Sequence, residues 1–271
     1  MSNKTLFISD LDGTLLTSSE SLSQFTKNGI EELKKRGVCF TFATARSIVT
    51  TKKVIGDLKV NIPMILHNGA FVVDSITEKK VIENLFDEKE SEMLLDDLLK
   101  GGINPIVYTL IDEKEQFLYI ESKINSFTNE FIASRKNDIR RHPVNDESEM
   151  FQGKRYYFTC IDEKEKLLPF YEKYKDKFHL IFARDFYSGD WWLEFLPEES
   201  NKASAALKLK KLLGFDKLVA FGDGVNDIEL FTVADECYAV ENADERLKKI
   251  ATKVIGHHDD DSVIKWLLAN T

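Results

Sequence analysis

Residues 6–14 read LFISDLDGT, an apolar run that ends in two aspartates and a glycine. Residues 218–227 read LVAFGDGVND and repeat that arrangement far along the chain. Each run is short, apolar and followed by turn residues, which is typical of a buried strand in a parallel sheet that helices cover on both faces. Ligands bind at the carboxyl ends of such strands. The two segments therefore predict one shared site.

Strand and helix signals alternate through residues 1–83 and again through residues 190–271. Residues 38–43 are predicted to be a strand, and residues 202–213 a helix that ends at Gly214. Such alternation implies right-handed crossovers and a parallel sheet. We predict an α/β fold whose Rossmann-like parallel sheet carries helices on both faces, and we expect these two segments to form its catalytic core.

Residues 84–189 differ from the flanking segments in composition. They are rich in aromatic and acidic residues, with strand-like alternation at residues 117–120 and 156–160. We predict an inserted α+β cap domain that sets substrate specificity. No motif identifies its specificity residues, and Tyr156, Arg184 and Tyr187 are the candidates.

Helix signals in the core allow finer predictions. Ser21 or Ser23 is placed to cap a helix that turns Phe25, Ile30 and Leu33 inward.

The composition favours a protein that works on small molecules in water. Of 271 residues, 43% are hydrophobic and 31% are charged, and the formal net charge is −9. No apolar run approaches the roughly 20 residues that span a bilayer. Because an anionic surface repels nucleic acid and anionic membranes, we expect neither as a partner. A phosphorylated substrate would need a local positive site.

The cysteines and the first residues of the chain indicate a cytoplasmic protein. Cys39, Cys160 and Cys237 are far apart and odd in number, which fits reduced thiols better than a disulfide framework. The apolar stretch at residues 6–8 is too short for an export signal. We expect a monomer or a weak homodimer.

Four carboxylates follow the two predicted strands, those of Asp10, Asp12, Asp223 and Asp227. Brought to one edge of a sheet, they would repel one another unless a cation neutralised them. Carboxylate oxygens are hard ligands that suit Mg²⁺, so we expect a magnesium cofactor.

Four segments in order resemble the motifs of the haloacid dehalogenase superfamily. They are DLDGTLL at residues 10–16, FATAR at residues 42–46 with Thr44 in the phosphate position, Lys202, and GDGVND at residues 222–227. With the insertion after the second motif, the chain resembles the Cof-type sugar phosphatases, subfamily IIB.

The resemblance departs at one position, because the family often has glycine after the motif lysine and this chain has Ala203. That difference concerns only local packing of the helix.

The resemblance implies phosphate-ester hydrolysis through a covalent intermediate. Asp10 is then the nucleophile that forms an aspartyl phosphate, and Asp12 is the acid that protonates the leaving group and the base that activates water. Thr44 would offer its hydroxyl and its backbone N–H to the phosphoryl oxygens. Lys202 would supply a positive charge.

The same resemblance implies the ligands of the metal. Mg²⁺ would contact the Asp10 carboxylate, the Asp12 backbone carbonyl and Asp223, with Asp227 contributing directly or through water. The Asp12 side chain must carry a proton, so we expect it to stay away from the ion.

Four further residues are candidates for binding the substrate: Gly13, Arg46, Asn68 and Asn226. Gly13 begins the turn that directs both aspartates of the first motif toward one pocket. Arg46 and Asn68 follow strand ends on the ligand side, and the Asn226 amide is placed to donate a hydrogen bond.

Two alternatives to a small-metabolite phosphatase stay open at this point. A phosphomutase or phosphotransferase would use the same aspartates, and a non-catalytic regulator would bind a sugar phosphate without turnover.

Residues 257–261, HHDDD, also invite a metal interpretation. We expect adjacent side chains to diverge there, and we predict instead that Asp261 or Ser262 caps the last helix.

Overall fold

A computed structural model describes residues 4–184 and 189–271. The chain divides into a core unit, Met1–Glu83 with Ser200–Thr271, and a cap unit, Asn84–Glu199. The second boundary was predicted at residue 190 and is corrected to 199/200. The reason is the strand Trp191–Leu196, which pairs antiparallel with strands of the cap sheet on both of its sides.

The core unit is built on a five-stranded parallel sheet with the strand order β14-β13-β12-β1-β2. Its strands are β1 (Thr5–Ser9), β2 (Cys39–Phe42), β12 (Lys217–Gly222), β13 (Glu236–Ala239) and β14 (Lys253–Val254). The two apolar runs singled out in the sequence, β1 and β12, are neighbours, with Ser9 opposite Phe221. Their carboxyl ends therefore lie side by side.

A second, three-stranded antiparallel sheet follows in the same unit: β3 (Met64–Leu66), β4 (Phe71–Val73) and β5 (Lys80–Glu83). It is linked to the parallel part through one parallel bridge between Ala43 and Ile65. The alternation of strand and helix stops at β3, because the tight turn His67–Gly69 reverses the chain and β4 pairs antiparallel with β3.

The core helices are α1 (Gln24–Lys35), α2 (Ile48–Ile55), α6 (Lys202–Leu213), α7 (Ile228–Val233), α8 (Glu245–Ile250) and α9 (Ser262–Asn270). Ser23 caps α1 by accepting a hydrogen bond from the N–H of Thr26. Ile30 and Leu33 face inward as predicted, but Phe25 is 46% exposed. The inward face starts at Thr26, and Phe25 lies one residue, or about 100°, away from it.

The predicted cap of the last helix is wrong. Asp261 precedes α9 with φ of 55°, and its side chain makes no capping hydrogen bond there. Its Oδ1 instead accepts from the hydroxyls of Ser23 (2.5 Å) and Thr26 (2.9 Å), so it ties the start of α1 to the start of α9. Ser262 donates to the carbonyl of His257 (2.7 Å).

The cap unit is an α+β layer with the strand order β10-β11-β9-β6-β7-β8. Its strands are β6 (Ile106–Ile111), β7 (Lys114–Ile120), β8 (Arg141–Val144), β9 (Lys154–Asp162), β10 (His179–Arg184) and β11 (Trp191–Leu196), and its helices are α3 (Glu88–Lys100), α4 (Ser126–Ser134) and α5 (Lys164–Tyr174). Residues of α3 and α5 pack with one face of the sheet and residues of α4 with the other.

Of the three cap candidates, Tyr156 is buried in β9 and Arg184 is exposed at the end of β10. Tyr187 lies outside the described residues. Across residues 4–184 and 189–271, helices with the length and apolar character of a membrane span are absent.

Candidate active site

Both acidic motifs lie at the carboxyl edge of the core sheet. Asp10 follows β1 and donates its N–H to the carbonyl of Phe221 at the end of β12 (2.9 Å). Asp223 comes directly after β12. Parallel pairing of β1 with β12 thus brings together side chains that are 213 residues apart in the sequence, since 223 − 10 = 213.

Three carboxylates form an acidic cluster, defined as Asp10, Asp223 and Asp227, in which one oxygen of each lies within 4.8 Å of the others. Asp227 is fully buried, and its Oδ2 accepts the N–H groups of Asp223 (3.1 Å) and Gly224 (3.0 Å). Oδ1 of Asp223 accepts the hydroxyl of Thr14 (2.7 Å). The cluster is therefore fixed by the turns that carry it.

Lys202 faces this cluster with its ammonium group. It opens α6, is only 1% exposed, and places Nζ 2.9 Å from Oδ1 of Asp10 and 2.7 Å from Oδ1 of Asp227. Burial alone would lower the pKa of Lys202, but the charges of Asp10 and Asp227 outweigh it and raise the pKa. The lysine therefore stays charged throughout the physiological range.

One ammonium does not balance three carboxylates. Burial raises the pKa of Asp10 well above its usual range, and the charges of Asp227 and Asp223 raise it further against the opposing effect of Lys202. Burial likewise raises the pKa of Asp223 to about 6. The excess negative charge and the all-oxygen donor set fit a hard divalent cation such as Mg²⁺.

Asp12 does not belong to the acidic cluster. Its carboxylate pairs with Arg46, from Nε to Oδ2 at 2.8 Å and from Nη2 to Oδ1 at 2.5 Å. Nη2 of Arg46 also contacts Oε2 of Glu20 (3.1 Å). Arg46 was predicted to bind the substrate, and in the structure its guanidinium contacts the carboxylates of Asp12 and Glu20.

Thr44 and Asn68 lie where β2 and β3 end. The Thr44 N–H donates to the carbonyl of Ile65 (3.0 Å), and the Thr44 carbonyl accepts from the N–H of Asn68 (3.0 Å). The prediction that the Thr44 N–H binds phosphate is therefore wrong, because that donor is used within the fold. Oδ1 of Asn68 faces Nδ2 of Asn226 at 3.4 Å, so these two predicted residues do meet.

Gly13 is required by the close approach of the two motifs. Its φ is +69°, and a Cβ there would lie 2.3 Å from Oδ2 of Asp223. Its carbonyl accepts from Nδ2 of Asn242 (2.7 Å). Sequence reasoning missed Asn242 and Glu20, since neither lies in a motif. Thr14 lies inside the first motif, and its position next to Gly13 was the sequence signal that it could contact Asp223.

A second group of potential ligands, the histidine cluster, consists of His257, His258 and Asp259, again with one ligand atom of each within 4.8 Å. The expectation that these neighbours diverge is wrong for the two rings, whose centroids are 4.6 Å apart. A short 3₁₀ turn that follows His257 brings them together.

The histidine cluster holds the loop after the first motif. Nδ1 of His258 lies 2.7 Å from the carbonyl of Leu16, and the Asp259 carboxylate accepts both the N–H (2.7 Å) and the hydroxyl (2.6 Å) of Ser18.

Residues 7–267 match the haloacid dehalogenase-like hydrolase family. The chain belongs to this family. Its resemblance to the Cof-type branch, subfamily IIB, is confirmed, and so is the predicted fold of a parallel α/β core with an inserted cap.

Curated relatives carry phosphatase names. YwtE of Bacillus subtilis, a 5-amino-6-(5-phospho-D-ribitylamino)uracil phosphatase, is 29% identical over 277 residues, which cover 95% of each chain. YitU of the same organism has the same activity in its name and is 23% identical over 272 residues, covering 95% of this chain and 94% of YitU. The chain is thus a phosphatase, as predicted.

A solved structure supports the fold. The crystal structure of TM0651 from Thermotoga maritima aligns with a TM-score of 0.80 at 24% identity, over 99% of this chain and 98% of that one.

Proposed function

We propose that this phosphatase is a magnesium-dependent phosphomonoesterase that acts on small phosphorylated metabolites, sugar or sugar-alcohol phosphates, through an aspartyl phosphate. The observation that carries the proposal is the setting of Asp10. Its carboxylate is buried, is held by Lys202 through Oδ1, and lies beside two further carboxylates that call for a cation.

Asp10 is proposed as the nucleophile. Because Lys202 holds one oxygen, the other is available for in-line attack on phosphorus. The new Asp10 O–P bond forms as the ester P–O bond breaks, and the leaving alkoxide takes the proton of Asp12. In the second step Asp12 accepts a proton from water, which attacks phosphorus and releases inorganic phosphate and Asp10. Lys202 stabilises the charge that develops on the phosphoryl oxygens.

The residues proposed to hold Mg²⁺ are Asp10 through the oxygen that does not attack phosphorus, Asp223 through its carboxylate and Asp12 through its carbonyl. Asp227 already accepts hydrogen bonds on both oxygens, from Lys202 and from two backbone N–H groups. We therefore assign it to positioning Lys202 and the fourth-motif turn. When bound, the ion would neutralise the phosphoryl oxygens and relieve the repulsion among the carboxylates.

The cap is proposed to set specificity, and the names of YwtE and YitU direct attention to phosphorylated ribityl chains. The net charge of −9 and three free cysteines support a cytoplasmic enzyme of small-molecule substrates, monomeric or weakly dimeric. Size-exclusion chromatography with light scattering checks the oligomeric state.

A phosphate-release screen tests the function. Purified enzyme is incubated with a panel of sugar phosphates, ribityl phosphates, nucleotides and phosphopeptides, with MgCl₂ or with EDTA. We expect release from sugar or ribityl phosphates that requires magnesium. Release from phosphopeptides alone would contradict the substrate class, and full activity in EDTA would contradict the cofactor. Transfer of phosphate to an added polyol, rather than to water, would indicate a phosphotransferase.

A further inference from the structure

We propose that Arg46 is a positioning residue that holds the carboxylate of Asp12 in place, with Glu20 as the third member of the group, and that it is not a ligand of the transferred phosphate. The inference rests on the proposed function, because it assumes that Asp12 is the proton donor; the carboxylate that Arg46 holds is the form of Asp12 that remains once the proton has been given to the leaving group.

The geometry of the pair is bidentate. Nε of Arg46 lies 3.1 and 2.8 Å from the two oxygens of Asp12, and Nη2 lies 2.5 Å from Oδ1. Two parallel N–H donors on one edge of a planar guanidinium fix the plane of a carboxylate as well as its position. Lysine has no such edge.

Arg46 is itself anchored by its backbone. Its N–H donates to Oγ1 of Thr44 (3.1 Å), and its carbonyl accepts from the N–H of His67 (3.0 Å). The Asp12 side chain is 47% exposed, against 20% for Arg46. The arginine is therefore held at its backbone and is the less exposed partner, and it restricts the rotamers of a half-exposed aspartate.

Glu20 contacts the same guanidinium through Nη2. Its Oε2 lies 3.1 Å from Nη2 of Arg46, on a side chain that is 72% exposed. Nε and Nη2 thus both have carboxylate partners. An exposed ion pair of this kind contributes little to stability, so we assign it the smaller effect, that of holding the guanidinium in register with Asp12.

The two possible roles of Arg46 predict different kinetics. A phosphate ligand contacts the part that all substrates share, so its loss lowers kcat/KM for every substrate alike. A residue that positions the proton donor matters only where the leaving group needs a proton. Alkoxides need one, whereas p-nitrophenolate leaves readily without it.

Arg46→Gln is the principal test variant, with Arg46→Lys and Glu20→Gln beside it. The measured quantity is kcat/KM for p-nitrophenyl phosphate and for an alkyl phosphate that the wild type hydrolyses. This parameter ends at formation of the aspartyl phosphate, so it excludes the later hydrolysis step. The inhibition constant of inorganic phosphate is measured in parallel, and thermal melting checks that each variant is folded.

For Arg46→Gln we expect kcat/KM to fall about 10- to 100-fold with the alkyl phosphate and less than about 3-fold with p-nitrophenyl phosphate, a part of the ~10²–10⁴ that acid–base help supplies. The inhibition constant of phosphate should change less than about 2-fold, since that contact is not lost. The kcat/KM of Arg46→Lys with the alkyl phosphate should lie between those of the wild type and Arg46→Gln. Glu20→Gln should show the same preference for p-nitrophenyl phosphate, with a fall of about 2- to 3-fold for the alkyl phosphate.

An equal fall for both substrates, with weaker inhibition by phosphate, would overturn the positioning role and make Arg46 a phosphate ligand. Unchanged kinetics with both substrates would overturn it as well. Asp12→Asn separates this failure from failure of the proposed function. If Asp12→Asn itself discriminates poorly between the two leaving groups, then Asp12 is not the proton donor and the fault lies in the proposed mechanism.

Discussion

The acidic cluster and the histidine cluster have the same number of potential metal ligands, yet their surroundings differ. Each brings three side chains within 4.8 Å. In the acidic cluster Asp10 and Asp227 are buried with one lysine, whereas in the histidine cluster His257 and Asp259 are about 40% exposed. Closeness of donors therefore does not by itself distinguish a cation site.

The pKa shifts show what does distinguish it. Burial raises the pKa of Asp10 and of Asp223, so the fold disfavours the ionised form of both side chains. In the histidine cluster the hydrogen bonds from Ser18 lower the pKa of Asp259, so that carboxylate already has the partners it needs. We interpret the first cluster as incomplete without a cation and the second as an anchor for the loop after the first motif.

The largest expected contrast is between Asp10→Asn and Asp259→Asn, the same substitution in each cluster. Asp10→Asn removes the proposed nucleophile, so phosphate release should fall by a factor of at least about 10⁴. Asp259→Asn should keep the turnover of the wild type within about 3-fold, because the hydrogen bonds that it alters go to Ser18, outside the acidic cluster. Stopped assays of phosphate release, with circular dichroism as the folding control, measure both.

Retained turnover in Asp10→Asn would identify another nucleophile. Loss of turnover in folded Asp259→Asn would mean that the histidine cluster takes part in catalysis and that the contrast between the clusters is wrong.

A second contrast concerns the metal requirement. Asp223→Asn should raise the magnesium concentration for half-maximal activity by about 10- to 100-fold, as expected when a group that binds or orients the ion is lost. His257→Ala is the matched control and should leave that concentration unchanged. Titration of activity with MgCl₂ compares them, and an equal shift in both variants would place the functional ion elsewhere.

The sequence predicted much of the acidic cluster because its residues lie in two short motifs that directly follow buried strands. Asp10, Lys202, Asp223 and Asp227 meet since parallel pairing of β1 and β12 puts both turns at one edge. The helix from residue 202 to residue 213, predicted to end at Gly214, has these bounds in the structure, where Asn201 caps its start and Gly214 ends it in the left-handed conformation.

What the sequence could not supply was tertiary hydrogen bonding between distant loops. The use of the Thr44 N–H by Ile65, the pairing of Arg46 with Asp12, and the anchoring by Asp261 all depend on neighbours in space. The boundary at residue 190 failed for the same reason, since strand partners decide to which unit β11 belongs.

A third contrast is the pH dependence of stability without metal. The ordinary pKa of an aspartate is 3.8, and that of Asp223 in the fold is about 6. Protonated Asp223 therefore contributes fully to the free energy of unfolding below about pH 3.8. This contribution, about 1–2 kcal/mol after allowance for solvent screening, is lost as the pH rises through about 6. Between pH 5 and pH 7.5, the melting temperature of the metal-free wild type should fall more than that of Asp223→Asn.

Magnesium should restore that loss at pH 7.5 in the wild type and much less in Asp223→Asn. Parallel slopes for the two proteins in EDTA would show that Asp223 is not the group that titrates.

The smallest expected effect sharpens the anchoring role of the histidine cluster. His258→Ala removes the contact between Nδ1 and the carbonyl of Leu16, which should lower the free energy of unfolding by about 1 kcal/mol. Urea unfolding measures that change, and His142→Ala in the cap unit is a control for loss of a histidine as such. Because Leu16 is the last residue of the first motif, His258→Ala should also speed hydrogen exchange in residues 13–18, without shifting the magnesium requirement. Faster exchange together with a shifted magnesium requirement would instead make the loop and the cation site one coupled element.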